Sequence, residues 1–96
     1  MTFTWDPAKA EANLKKHGVD FREAATVFDD PWSVAFPDAD HSWGERRFVI
    51  IGASARGRIL VVAYTEVNPS LIRIISARLA KNHERRFYEE DTTHNR

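Results

Sequence analysis

The chain has no cysteine, which removes disulfides and thiolate metal sites and suits a reducing cytoplasm. It has only 4 glycines and 4 prolines, and no glycine-rich phosphate loop. Nucleophile elbow, zinc signature and dinucleotide fingerprint are also missing, so most cofactor enzymes drop out and no cofactor is expected. The longest apolar run, "ILVVAY" (59–64), is far too short to cross a bilayer. The opening "MTFTWDPAKAEANLKKHG" turns charged at once, unlike a signal peptide. Formal net charge is zero, which argues against binding nucleic acid over the whole surface.

What is present is ordinary globular material: 96 residues, 43% hydrophobic and 29% charged, enough for one small domain over 1–96. The charge is unevenly spread. Residues 29–45 hold Asp29, Asp30, Asp38, Asp40 and Glu45 and no Lys or Arg. Residues 71–88 hold Arg73, Arg78, Lys81, Arg85 and Arg86 against Glu84 alone.

Local patterns predict the elements. "TFTW" (2–5) alternates as a short edge strand. Asp6-Pro7 starts a helix that runs to His17, and Gly18 stops it. Asp20 and Glu23 form a capping box for a second helix, whose stripe is Phe21, Ala24, Ala25 and Phe28. Strands are expected at 32–36, 46–53, 58–67 and 71–77, with turns at 54–57 and 68–70. A last helix near 81–90 precedes a tail, 91–96, expected to fray. The fold class is α+β, an antiparallel sheet of three to four strands packed against two N-terminal helices and a C-terminal helix, with helices covering one face.

The chemistry centres on "LIRIISARLAKNHERR" (71–86), where arginines interrupt an apolar strand. An unpaired buried guanidinium costs several kcal/mol, so Arg73 and Arg78 need either acidic partners such as Glu45 or Glu66, or a ligand. The planar fork suits a phosphate. A regular strand sends residues five apart to opposite faces, so convergence of these two requires a bulge or a turn near Ala77. His17 can act as acid or base, or simply complete the helix dipole beside Lys15 and Lys16. Asp38, Asp40 and His41 match no metal motif and read as a solvated loop, so no metal site is expected. Tyr64, Thr65 and Glu66 bring acceptors and hydroxyls to the end of a strand, where packing is their commoner use. The kit suits metal-free cleavage of a phosphodiester through the ribose 2′-OH.

Three stretches carry a resemblance: "FTWDPAKAEANLKKHGVDFREAATVFDDP" (3–31), "GERRFVIIGASARGRILVVAYTE" (44–66) and "IRIISARLAKNHERRFYEE" (72–90). With W-D-x-x-K, N-x-x-K-H-G-V, F-D-D-P, R-I-I-S-A-R and E-R-x-x-Y, the chain resembles the BrnT toxins of type II toxin–antitoxin systems. The resemblance implies a RelE-like fold and an endoribonuclease that arrests translation in the cytoplasm. It also implies RNA as substrate and a BrnA-type, ribbon-helix-helix antitoxin in a hetero-oligomer that reaches operator DNA only through the antitoxin. No membrane partner is implied. On chemical grounds Arg73 and Arg78 would hold the scissile phosphate and His17 would move protons. Lys16, Arg46 and Arg58 would hold the RNA backbone. One departure is Lys81, where the family often has a Thr that caps the last helix; Asn82 is the nearer candidate cap here. The alternative is a binding module without catalysis, a co-repressor of a DNA-binding partner anchored by Trp32 or Trp43.

Overall fold

Asp6 and Asp20 each accept a hydrogen bond from the backbone two residues on, from Ala8 and Arg22, and so begin the first two helices. In the computed structural model, residues 1–38 and 46–94 are described, apart from the side chains of 92–94. Helix α1 is Pro7–His17 and ends at Gly18 with φ 69, a left-handed stop that glycine takes without strain. Helix α2, Phe21–Thr26, gives way to a 3₁₀ turn at Val27–Asp29, and α3 is Asn82–His94. Lys81, not Asn82, stands at the cap: its N–H donates to the Glu84 carboxylate while its C=O accepts from Arg85 N–H.

The strands are β1 (Thr2–Thr4), β2 (Val34–Pro37), β3 (Arg47–Ala53), β4 (Ile59–Asn68) and β5 (Leu71–Leu79), in the order β1-β5-β4-β3-β2. The expectation of a purely antiparallel sheet of three to four strands is therefore corrected to five strands with one parallel pair, β1 beside β5. β1 reaches that place because the two helices return the chain across the sheet, and its Phe3 joins the core against Phe28. Past Arg73 the edge of β5 has no strand beside it among the described residues. There the buried amide of Asn13 substitutes, donating to the Ala77 C=O at 2.8 Å and accepting from the Ala77 N–H at 3.1 Å.

Both faces of the sheet are covered, correcting the expectation of one. Ile50, Leu60, Val62, Tyr64, Ile72, Ile74 and Ala77 pack with Val19, Phe21, Ala24 and Val27 on the first face. Ile51 and Val61, one step out of phase, pack with Tyr88 of α3 and half-buried Trp32 on the second. The Tyr88 hydroxyl donates to Asp30, tying α3 to the 3₁₀ turn. Gly52 lets that turn approach closely, since a Cβ there would meet Ser33 and Val27 at 2.9 Å.

One irregularity matters most. On β4 and β5, Ala63 faces Ser76 and Tyr64 faces Ile74, so Ile75 is an extra residue, a β-bulge. The bulge lets Ile74 and Ala77, three apart, both enter the first core. It also sets β5 longer than the expected 71–77.

Candidate functional site

Because of the bulge, Arg73 lies opposite Thr65 and Arg78 opposite Val61. Thr65 and Val61 are four apart on a regular stretch of β4, so the two arginines share a face, the second one. Arg73 is exposed and has no hydrogen bond or ion pair among the described residues. Arg78 is half-buried and grips Glu84 with both ends of its fork, at 2.7 and 2.8 Å. That grip, aided by the Lys81 N–H and the charge of His83, holds the Glu84 carboxyl down at about 2 despite its burial.

The remaining residues singled out in the sequence do not join them. His17 belongs to the first layer, on the same side of α1 as Ala10 and Asn13, and Lys16 is exposed on that helix. Arg46 is exposed and lies over the Phe48 ring, 5.6 Å from its centroid, with Glu66 at 3.9 Å. Phe48 packs on the first core and stacks on Tyr64, whose hydroxyl is pushed up by burial and by Glu66. Arg58 is committed to structure. Its Nε donates to the buried Glu23 carboxylate at 2.9 Å, and it also donates to Gly18 C=O. Those bonds from Arg58, with one from Ser54, hold the Glu23 pKa low although burial pushes it up. Asp30 shows the same contest: burial raises it, and the Ala53 and Trp32 amides and the Tyr88 hydroxyl together bring it below normal. Asp40, His41, Trp43 and Glu45 lie outside the described residues, while Asp38 pairs with Arg47 at 3.4 Å.

Two residues on the arginine face, Arg47 and His83, escaped the sequence reading, and Thr65 was noted there only among the hydroxyls at the end of a strand. The register sets Arg47, Thr65 and Arg73 side by side on β3, β4 and β5. Thr65 is 4% exposed, and its hydroxyl is buried without a hydrogen-bond partner among the described residues. His83 stands on α3 next to Glu84, beside a groove of about 580 Å³ that Val34, Phe36, Ile51 and Phe87 also line. The available signal was period-two alternation, which puts Arg47 on the face of Val49 and Ile51; the neighbouring Arg46 took the attention instead.

A five-stranded sheet with helices on both faces, arginines on the face that carries α3, and no long apolar helix among the described residues define a small α+β domain. Residues 5–84 match the family model described as "Ribonuclease toxin, BrnT, of type II toxin-antitoxin system", and the chain belongs to that family. It is similar to the ribonuclease toxin BrnT of Brucella abortus, known from a crystal structure, at 26% identity and a TM-score of 0.67, over 85% of this chain and 99% of that one. No curated protein matches.

Proposed function

We propose that this chain is a metal-independent endoribonuclease toxin that inhibits translation and is neutralised by a ribbon-helix-helix antitoxin of the BrnA type. The observation that carries the reading is the shared face of Arg73 and Arg78, made by the bulge at Ile75. Arg73, exposed and uncommitted, binds the scissile phosphate. Arg78, neutralised by Glu84, fixes α3 over the same face and so places His83 there. The 2′-oxygen loses its proton to a base and attacks phosphorus. Cations stabilise the phosphorane, an acid protonates the departing 5′-oxygen, and a 2′,3′-cyclic phosphate remains. His83, on the arginine side, suits one proton transfer better than His17 in the opposite layer. Lys16 and Arg46 are left for backbone contacts beyond the site.

The test is cleavage of purified RNA with EDTA present, by wild type and by Arg73→Ala. We expect wild-type cleavage to persist and the variant to lose about a hundredfold or more. An Arg73→Ala enzyme of normal rate removes Arg73 from the chemistry, and loss of wild-type cleavage on chelation overturns metal independence. The second reading, a non-catalytic module holding a partner, draws on the groove between β2, β3 and α3, where Phe36 and Phe87 are 39% and 46% exposed. Absence of cleavage under every condition would favour it.

A further inference from the structure

The buried hydroxyl of Thr65 has no hydrogen-bond partner among the described residues. A polar group shut away without a partner costs about 1–3 kcal/mol, and a valine would fill the same place in a strand without that cost. Its cross-strand neighbours are arginines on both sides, Arg47 from β3 and Arg73 from β5. Neighbouring strands are about 4.8 Å apart, so the two guanidinium stems rise roughly 10 Å apart with the hydroxyl midway. Both side chains share the face of the sheet on which Thr65 lies. Arg47 is anchored by Asp38, whereas Arg73 is exposed and without a partner among the described residues, so Arg73 is the one able to swing aside.

We propose that Thr65 is a phosphate-binding residue of the ribonuclease site: when Arg73 turns outward to grip an RNA phosphate, the Thr65 hydroxyl beneath it donates a hydrogen bond to a non-bridging oxygen of the same phosphate. The inference rests on the ribonuclease reading above. The arrangement is a hydroxyl floor between two guanidinium groups, completed by the ligand. Glu66 and Tyr64, the adjoining residues of β4, point to the opposite face and do not compete.

The experiment compares wild type, Thr65→Val, Thr65→Ser and Arg73→Ala. Three readouts are taken: melting temperature, cleavage of purified RNA, and affinity for a fully 2′-O-methylated RNA that cannot be cut. Thr65→Val is expected to fold and to melt roughly 4–8 °C higher, because the orphaned hydroxyl is gone. Its cleavage should fall about 10- to 100-fold and its affinity for the methylated RNA should weaken, with Thr65→Ser restoring most of both. A variant that is more stable and less active is the signature of a group kept for a ligand. If Thr65→Val cuts and binds like wild type while Arg73→Ala does not, Thr65 has no such role and the ribonuclease reading stands. A Thr65→Val protein that loses stability along with activity makes Thr65 structural and overturns the proposal. Wild type that neither cuts nor binds RNA takes down both.

Discussion

At the scale of single residues, the ion pairs decide which cations remain available. Arg58 faces the buried Glu23 and Arg78 faces Glu84, so two of the arginines marked in the sequence already have carboxylates. The Glu84 pair has a pH signature. Its carboxyl sits at about 2 when folded against an ordinary 4.5, so its stabilising contribution is complete above about 4.5 and is lost as pH falls toward 2. Glu84→Gln should therefore cost roughly 1–3 kcal/mol at neutral pH, discounted for the partial exposure of Arg78. The gap between variant and wild type should close as the acid limit is approached. Urea denaturation of both proteins across that range is the measurement, and a gap that does not change with pH would remove Glu84 as its source. The sequence showed that Arg78 needed a partner but put forward Glu45 or Glu66. Glu84 was six residues away and reachable only because α3 folds back over the end of β5.

At the scale of elements, the caps of the first two helices, the glycine stop and the strand alternation were legible, because each is settled by interactions within a few residues. The parallel position of β1 was not, since nothing in "TFT" says which edge it will find. Asn13 shows the difference well. In the sequence it is one polar position on a helix; in the fold its amide closes the bare edge of β5 at Ala77 and also donates to Val19 C=O at 3.0 Å. Asn13→Leu should destabilise the protein by about 2–4 kcal/mol, because the Ala77 N–H and C=O would both be left buried and unpaired. Chemical denaturation reads this directly, and a loss below about 0.5 kcal/mol would mean that the edge is satisfied in another way. The bulge is the element that builds the candidate site. Alternation alone predicted opposite faces for Arg73 and Arg78, and named a bulge as the exception that would unite them.

For the molecule as a whole, zero net charge means that no excess of positive charge draws RNA in. On the proposed function, recognition depends on a few local contacts on the second face, Arg73 chief among them. Affinity for single-stranded RNA should accordingly fall with salt at a log–log slope of only about −1.5 to −2, the value for two or three neutralised phosphates. A titration of non-cleavable RNA across ionic strengths checks this, and a slope steeper than about −5 would require a broad basic surface instead. The two-faced packing also divides labour. The first core, with α1 and α2, holds the sheet together, while α3 on the second face is held by Tyr88, Asp30 and the Arg78–Glu84 pair.

The sequence by itself determined the helices, the long strands, the family and the need for Arg78 to find a partner, because periodicity, caps and motif spacing act over a few residues; Arg73, expected to need one too, is exposed. Only the tertiary structure decided which arginines stay free, that Thr65 lies between two of them, and that His17 belongs to the other side. Those outcomes turn on one extra residue at Ile75 and on the pairing of strands far apart in the chain, and a single-residue change of register exchanges the two faces of a strand.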